Sequence, residues 1–297
     1  MTMKMLASSL AMALSLTAGA VTAQAQSGET AQATTDAVQL QQIRNATVKI
    51  TYGDTTFLLD PMLSKKGTYP GFEGTYRSTR RNPLVDLPMP AQEIIADVDA
   101  VIVTHTHLDH WDDAAQQALP KDIPLFAQHQ ADAVMIREQG FTNVRVLSYK
   151  AEFDGVTLSR TGGQHGTDEM YASADVATFL GDAMGVVFQA PGQETLYLVG
   201  DTIWRDEVDL ALEAYDPEIV VLNAGYALLS DYEGAIIMGK EDVLRATQAA
   251  PEATIVATHM DAINHMALTR DELREYVQEN SIEDRVEIPE DGVTINF

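Results

Sequence analysis

The sequence contains no cysteine among its 297 residues. A chain without thiols cannot form disulfide bonds or a cysteine-ligated zinc site, so its fold must depend on its core, with bound metal as a further contribution. Basic residues are also scarce, with 19 Lys and Arg against 44 Asp and Glu and a formal net charge of -25. Because this charge repels phosphate backbones, we expect a small-molecule substrate and no nucleic-acid partner.

Long apolar runs are absent after the amino-terminal segment. Lys4 precedes an apolar run over residues 5–20, which is followed by the motif Ala-Gln-Ala at residues 23–25. A positive start, an apolar stretch and an A-x-A motif are typical of a secretory signal peptide. We therefore predict a signal peptide over residues 1–25, cleaved after Ala25, and an uncleaved amino-terminal anchor is the alternative.

Export predicts a periplasmic or secreted protein with no stable membrane insertion once the leader has been removed. Residues 26–39 are rich in Gln, Thr, Ala and Ser without an apolar pattern, which predicts a flexible lead-in. The remaining residues, 40–297, are numerous enough to bury a large core and are expected to form one domain. Whether this domain forms oligomers stays open.

Short apolar β-type runs alternate with helical patterns along this domain, as expected for an α/β protein. A hairpin is predicted from residues 43–52 and 55–59, ending at Asp60. Further strands are predicted at residues 101–104, 125–127, 144–147, 156–160, 185–189, 195–199, 219–222 and 254–257. Helices are predicted at residues 112–118, 130–139, 205–214, 240–249 and 269–279.

A segment rich in glycine and proline, residues 62–90, separates the hairpin from the next strand. Long loops in compact domains are usually functional, although a solvated surface excursion is an equally acceptable interpretation. The functional alternative is a flap over an active site, in which Arg77, Arg80 or Arg81 would hold an anionic group of a substrate.

Four side chains that can bind metal follow the strand at residues 101–104: His105, His107, Asp109 and His110. At the carboxyl end of a strand the backbone leaves the sheet, so a tight turn can direct these side chains to a common point. Imidazole and carboxylate suit zinc, which we expect, and also manganese or iron. Histidines at this density are rarely structural, so the pattern H-x-H-x-D-H predicts a metal site.

With this motif, the chain resembles the metallo-β-lactamase superfamily. Three further segments that follow predicted strands carry the resemblance: residues 162–166 with His165, 198–202 with Asp201 and 257–259 with His259. The resemblance implies an α/β (α+β) fold, namely a four-layer αβ/βα sandwich, and two divalent metal ions. It also implies a split of the ligands into His105, His107 and His165 for one ion and Asp109, His110 and His259 for the other, with Asp201 bridging them.

Two metal ions roughly 3.5 to 4 Å apart can share a water and lower its pKa, so the expected nucleophile is a metal-bound hydroxide. Asp109 and Asp201 would orient the ions and the hydroxide in this reaction. His265 competes with His259 for the last ligand position, but His259 is favoured because it lies at a strand exit. His265 would then be a second-sphere group or a proton donor, and an ordinary loop histidine is an equal alternative.

Within the superfamily, the sequence is most similar to the L-ascorbate-6-phosphate lactonase-like branch, which includes relatives of N-acylphosphatidylethanolamine phospholipase D. Asp60-Pro61, the turn at residues 200–202 and the segment 258–270 carry this similarity, whereas the leader departs from the cytoplasmic sugar lactonases. We expect hydrolysis of an ester, lactone or phosphodiester bond in a small substrate, for which an anionic group is an option. The alternatives are a β-lactam-cleaving enzyme and a catalytically idle metal-binding protein.

Overall fold

A computed structural model describes residues 38–297, so the predicted signal peptide and nearly all of the predicted lead-in lie outside the described residues. The strands of the described part are β1 (Gln39–Arg44), β2 (Thr47–Tyr52), β3 (Thr55–Leu59), β4 (Ala100–Val103), β5 (Leu125–Ala127), β6 (Val144–Val146), β7 (Lys150–Phe153), β8 (Val156–Thr161), β9 (Gly185–Gln189), β10 (Leu196–Leu198), β11 (Ile219–Asn223), β12 (Thr254–Thr258), β13 (Val286–Glu287) and β14 (Thr294–Asn296). Its helices are α1 (Ala91–Ile95), α2 (Asp113–Ala118), α3 (Gln130–Glu138), α4 (Asp168–Tyr171), α5 (Ala174–Leu180), α6 (Asp206–Tyr215), α7 (Lys240–Ala249) and α8 (Arg270–Glu279).

The strands form two seven-stranded sheets, each of which mixes antiparallel and parallel pairs. The first has the order β14-β1-β2-β3-β4-β5-β6, and its pairs become parallel from β3 onward. The second has the order β13-β12-β11-β10-β9-β8-β7 and is parallel from β10 to β13. Parallel pairs need crossover connections, which the predicted α/β alternation along the chain supplies.

Alternation of side chains along the strands separates the apolar layers. In β4, Ile102 packs between the two sheets, whereas Val101 and Val103 pack beneath α1, α2 and α3. In β10, Leu198 enters the core between the sheets and Tyr197 packs against the layer of α6, α7 and α8. Helices therefore cover the outer face of each sheet, and the predicted α/β four-layer αβ/βα sandwich is confirmed.

Several elements differ from the sequence predictions. The predicted hairpin is a three-stranded meander, because the chain reverses at Asn45 (φ 60°) between β1 and β2. Val38 is buried in the core and β1 begins at Gln39, so the last two residues of the predicted lead-in belong to the folded domain. Strand β7 was missed because it lies at a sheet edge, where its exposed side chains give no apolar alternation.

The topology brings the carboxyl ends of several strands to one edge of the sandwich. Strands β3 and β4 are parallel in the first sheet, and β10, β11 and β12 are parallel in the second. Strand β8 runs in the same direction as β10, since both are antiparallel to β9. Side chains that follow these six strands can therefore meet. Within residues 38–297, no helix is long and apolar enough to cross a membrane.

Candidate metal centre

All seven predicted ligands lie in segments that follow these strands. His105, His107, Asp109 and His110 follow β4, which ends at Val103. The other three follow β8, β10 and β12, and they are His165, Asp201 and His259. The structure brings these seven side chains together, whereas their role as ligands stays a prediction.

Three histidines form the first set of donors, which we call the three-histidine group: His105, His107 and His165. One nitrogen of each lies within 4.8 Å of the nitrogens of the other two. His105 Nε2 is 3.0 Å from His107 Nδ1. His107 is partly exposed, whereas His105 and His165 are buried.

The second set of donors, which we call the Asp109 group, comprises Asp109, His110 and His259. His110 Nε2 is 3.0 Å from His259 Nε2, which in turn is 3.6 Å from Asp109 Oδ2. All three side chains are buried. The two groups contain the same residues as the two ligand sets that the resemblance implied.

Asp201 lies between the two groups. The distances from its Oδ2 are 3.2 Å to His110 Nε2, 3.5 Å to His259 Nε2, 3.7 Å to His165 Nε2 and 4.0 Å to His105 Nε2. Its other oxygen accepts a hydrogen bond from Asn223 Nδ2 at 2.6 Å, and Asn223 Oδ1 accepts one from Thr258 Oγ1 at 2.9 Å. These bonds orient Asp201 so that Oδ2 faces both groups.

Most of the histidines are hydrogen-bonded through the ring nitrogen that faces away from the centre. His107 Nε2 is 2.9 Å from the carbonyl oxygen of Phe179, and His165 Nδ1 is 2.9 Å from that of Ile236. A carbonyl only accepts, so these nitrogens must be the protonated donors. The nitrogen that faces the centre then carries a lone pair, as metal ligation requires.

Asp60 supports His110 in the same way, with a charged acceptor. His110 Nδ1 donates to Asp60 Oδ2 at 2.9 Å, and the backbone N and Oγ1 of Thr104 donate to the two Asp60 oxygens at 2.7 Å. In the sequence, Asp60 is recognisable only as the end of a hairpin and as part of a family similarity. The feature that could have indicated its role is its position directly after β3, which is the neighbour of β4 in the sheet.

Burial and neighbouring imidazoles keep two histidines of the first group neutral. Burial lowers the pKa of His105 well below its ordinary value, and His110 and His107 lower this pKa further. Burial also lowers the pKa of His165 to about 4. Both residues therefore have the neutral form that binds metal at physiological pH.

Carboxylates dominate the electrostatics at His110. Burial alone would lower the pKa of His110, but Asp201, Asp60 and Asp109 raise this pKa well above its ordinary value. Burial alone would raise the pKa of Asp201, but His110 and His259 lower this pKa well below its ordinary value. The buried carboxylates therefore require positive charge at the centre, in the form of a proton or a metal cation.

The donor set fits a pair of divalent cations. Ring nitrogens 3.0 Å apart, as in the pairs His105–His107 and His110–His259, need a proton between them or a cation nearby to offset the repulsion of their lone pairs. Asp60, Asp109 and Asp201 carry three negative charges, which two divalent cations would offset with one unit left for an anion. The described residues thus offer clusters able to bind metal ions.

The backbone near the centre adopts conformations that are uncommon for residues with side chains. His259 has φ 62° and Asp60 has φ 45°, and each such residue costs of order 1–3 kcal/mol. Gly200, directly before Asp201, has φ 78°, and a Cβ there would collide with the carbonyl oxygen of Met184. Only glycine fits this turn, which brings Asp201 back over the end of the sheet.

A cavity of about 290 Å³ opens beside the two groups. Asp109, His165 and Asp201 contribute to one part of its wall, whereas the other residues that line it are mostly apolar: Phe72, Thr75, Leu108, Phe179, Ile236 and His265, together with His107. Phe72 and Thr75 belong to the loop at residues 62–90, so this loop contributes to the pocket wall. The structure thus favours the functional interpretation of this loop over a surface excursion.

The expected arginine clamp is absent from the lining of this pocket, which contains no Lys or Arg within the described part of the chain. Arg77 stacks on the ring of Tyr76 at 4.5 Å, and Arg81 donates to the carbonyl oxygens of Gly67 and Thr68. These contacts hold the guanidinium groups to the loop itself. The loop arginines thus lie outside the pocket lining, and the binding of an anionic substrate group by one of them stays a prediction.

The two histidines near the end of the chain have separate positions. His259 belongs to the Asp109 group, whereas His265 is in none of the donor groups that the described residues form. His265 lies in the pocket wall, with its ring centroid 5.3 Å from that of Phe72. Burial lowers the pKa of His265 to about 4. Its buried Nδ1 has no hydrogen-bond partner among residues 38–297. His265 is therefore placed to contact a substrate, and its catalytic role stays a prediction.

A mixed two-sheet αβ/βα sandwich with a buried His/Asp cluster at the carboxyl ends of its strands defines a class: metal-dependent hydrolases of the metallo-β-lactamase fold. Comparison with known families agrees, since residues 55–260 match the model described as the beta-lactamase superfamily domain. This chain belongs to the beta-lactamase superfamily.

Individual relatives extend the similarity to nearly the whole described chain. The UPF0173 protein YddR of Bacillus subtilis (strain 168) is 43% identical over 260 residues, which cover 88% of this chain and 100% of that protein. A possible metal-dependent hydrolase from Veillonella parvula DSM 2008 is 49% identical with a TM-score of 0.87, covering 88% of this chain and 100% of that one. An isothiocyanate hydrolase from Delia radicum gut bacteria is 52% identical with a TM-score of 0.85, covering 87% and 99%.

Proposed function

We propose that this protein hydrolyses small, neutral, apolar electrophiles, and that isothiocyanates, R–N=C=S, are its substrate class. The observation that carries this proposal is the apolar pocket, without Lys or Arg in its lining, that opens directly onto the His/Asp cluster. The 52% identity to a protein named as an isothiocyanate hydrolase, over 99% of that chain, supports the same substrate class.

The lack of cationic side chains in the pocket lining also makes some of the other substrate classes less favourable than others. A phosphodiester or another anionic substrate would lack a cationic side chain to pair with, apart from the metal ions themselves. A neutral ester or lactone would fit the same lining, and the similarity to the lactonase-like branch supports it as the second candidate. A β-lactam carries a carboxylate and is therefore disfavoured for the same reason as a phosphodiester.

His105, His107 and His165 would hold one divalent ion and Asp109, His110 and His259 the other, with Asp201 Oδ2 between them. When bound, the two ions would lower the pKa of a shared water, supply a hydroxide at neutral pH and polarise the bond under attack. Zinc suits these nitrogen and oxygen donors best, and manganese or iron would also fit.

The reaction needs one water for each isothiocyanate. The water oxygen bonds to the central carbon, one water proton reaches the nitrogen and the other reaches the sulfur, which gives the thiocarbamate R–NH–C(=O)–SH. Cleavage of the C–N bond, with transfer of the thiol proton to nitrogen, then releases the amine and carbonyl sulfide. Asp109, which lines the pocket, would accept the proton of the attacking water, and His265 would contact the nitrogen or sulfur of the substrate.

The test uses purified protein of measured metal content with allyl and benzyl isothiocyanate. We expect amine and carbonyl sulfide in equal amounts, loss of turnover on chelation and recovery with added zinc, manganese or iron. Asp201→Asn should lose more than about 100-fold in kcat/KM, since even outer-sphere partners of metal ligands account for 10–100-fold. The matched control is Asp206→Asn, which removes an exposed carboxylate five residues further along the chain.

The same experiment contains the results that would overturn the proposal. A metal-loaded wild-type protein that leaves both isothiocyanates intact but opens neutral lactones would favour the second candidate. Cleavage of β-lactams or phosphodiesters would contradict the argument from the uncharged pocket. Full metal content without turnover on any of these substrates would identify a catalytically idle metal-binding protein.

We also propose that the protein is exported to the periplasm or secreted after cleavage behind Ala25. The positive start, the apolar run and the Ala-Gln-Ala motif within residues 1–25 support this proposal. These residues lie outside the part that the structure describes. Edman sequencing of protein from the producing cell should give Gln26 as the first residue. An intact Met1 in a soluble cytoplasmic fraction would contradict export.

A further inference from the structure

Asn264 is a fully buried residue next to His265, and its hydrogen bonds tie the loop at residues 62–90 to the pocket. Its Oδ1 accepts from the backbone N of Phe72 at 3.0 Å and from Asn82 Nδ2 at 2.7 Å. Its Nδ2 donates to Thr75 Oγ1 at 2.8 Å and to the carbonyl oxygen of Tyr76 at 2.6 Å. Each side-chain polar atom of Asn264 therefore has partners in this loop.

The backbone of Asn264 adds a further bond to the same loop. Its N–H donates to Asn82 Oδ1 at 2.9 Å, so the two asparagines bond reciprocally across 182 positions of the sequence. The described part of this loop has no helix and only isolated β-bridges, one of which pairs Tyr69 with Asn82. Much of the order of this loop must then come from such side-chain bonds, because a buried polar group that loses its partner is costly.

Two of the loop residues bonded to Asn264 line the substrate pocket. Phe72 is held through its backbone N, and its ring lies against the ring of His265, with 5.3 Å between centroids. Thr75 is held through Oγ1, which also donates to the carbonyl oxygen of Phe72 at 2.6 Å. A change at Asn264 would therefore reach the pocket through Phe72, both directly and by way of the bond from Thr75 to Phe72, because Asn264 itself is not part of the pocket lining.

We propose that Asn264 is a positioning residue that sets the substrate-size selectivity of this pocket by holding Phe72 in the pocket wall against His265. The substrate named in the test rests on the proposed isothiocyanate activity, whereas the positioning of Phe72 does not. An apolar wall that is fixed in place favours a substituent that fills the cavity, and one methylene of a substrate gained or lost in a hydrophobic pocket changes selectivity by roughly 10–200-fold. A wall that moves loses this discrimination.

The first experiment measures kcat/KM for methyl and benzyl isothiocyanate in wild type, Asn264→Ala, Phe72→Ala and the double variant. We expect the benzyl-to-methyl ratio to fall about tenfold in each single variant, mainly through KM for the benzyl compound. In the double variant the ratio should fall no further than in Phe72→Ala, since Asn264 acts through Phe72. Equal losses for both substrates, or an undiminished effect of Asn264→Ala in the Phe72→Ala background, would overturn the proposal.

Asn82→Ala provides a second variant in case Asn264→Ala does not fold. It removes the reciprocal bonds from the loop side, and Asn82 is absent from the pocket lining. The benzyl-to-methyl ratio should fall in the same direction and by a smaller factor, because Asn264 keeps its bond to the backbone N of Phe72. A ratio identical to that of wild type in a folded, metal-loaded Asn82→Ala protein would count against the proposal.

The second experiment reads the position of Phe72 without any substrate. In protein labelled with 4-fluorophenylalanine, the ¹⁹F resonance that is missing in Phe72→Leu identifies Phe72. In Asn264→Ala this resonance should move toward its denatured position and become more accessible to a soluble paramagnetic agent, and an unchanged resonance would overturn the positioning role. If wild type hydrolyses no isothiocyanate, the proposed function fails, and this resonance decides the positioning role by itself.

Discussion

The two donor groups of the metal centre differ in what supports their imidazoles. In the three-histidine group, His107 and His165 donate to neutral backbone carbonyls. In the Asp109 group, His110 donates to the Asp60 carboxylate, and Asp109 itself adds a negative charge. A carboxylate partner makes an imidazole a more basic ligand for a metal ion, so the Asp109 group should bind its cation more tightly. The geometry thus predicts two unequal sites rather than two equivalent ones.

Loss of the Asp109 carboxylate should have the largest effect. Asp109→Asn keeps the shape of the side chain but removes a charge from the group that we expect to bind more tightly. Activity should fall by more than about 100-fold, together with loss of one equivalent of metal. Kinetics on the preferred substrate and elemental analysis of the same sample provide the measurement.

The control for this variant is Asp113→Asn, which removes an exposed carboxylate at the first position of α2. It should keep both metal equivalents and lose less than about twofold in activity, since surface substitutions of this kind are nearly neutral. Two bound equivalents in Asp109→Asn would contradict the assignment of Asp109 to a ligand group.

Asp60→Asn tests directly whether the carboxylate partner creates the difference between the groups. An asparagine Nδ2 facing His110 Nδ1 would donate to it, which moves the imidazole proton to Nε2, the atom that faces the centre. Metal affinity of the Asp109 group should fall by about 10–100-fold, with a smaller change in the three-histidine group. Titration calorimetry of the metal-free protein measures both sites, and Asp54→Asn, in the exposed β2–β3 turn, is the control. Equal weakening of both sites would break the comparison.

The sequence was sufficient to predict the position of those residues whose local pattern is compatible with a single structure. The motif from His105 to His110 follows an apolar strand, and a strand exit can only direct such side chains out of the sheet. His165, Asp201 and His259 follow strands as well, and their glycine-rich turns or strand exits marked them. Sheet order was not needed for these predictions, because α/β proteins place the carboxyl ends of their parallel strands at one edge.

Contacts between segments that are distant in sequence could not be predicted in the same way. Asp60 supports His110 because β3 and β4 are neighbours in the sheet, which their separation by the 62–90 loop conceals. The loop arginines gave a clear charge signal, but the direction of each guanidinium depends on tertiary packing. Asn264 carried no signal at all, since a buried amide is defined only by the partners that it meets.

Stepwise removal of metal should sharpen the comparison between the groups. If the three-histidine group holds its cation less tightly, a chelator should remove one equivalent at least about tenfold faster than the other, in line with the effect of a carboxylate partner. Stopped-flow measurements with a chromogenic chelator report the two phases. Asp60→Asn should bring the two rates together, and a single phase in wild type would contradict unequal sites.

His129 provides the smallest expected effect, because it lies outside both groups. Its Nδ1 accepts from the backbone N of Asp132 at 3.2 Å and so caps the amino terminus of α3. His129→Ala should lower the free energy of unfolding by about 1 kcal/mol, as for other helix caps, and leave metal content and kcat/KM within about twofold of wild type. Urea denaturation of the metal-loaded protein measures the first quantity. A loss of metal in this variant would show that the metal centre responds to any weakening of the helices on the first sheet. Differences in metal affinity between the two groups could then no longer be assigned to their own ligands.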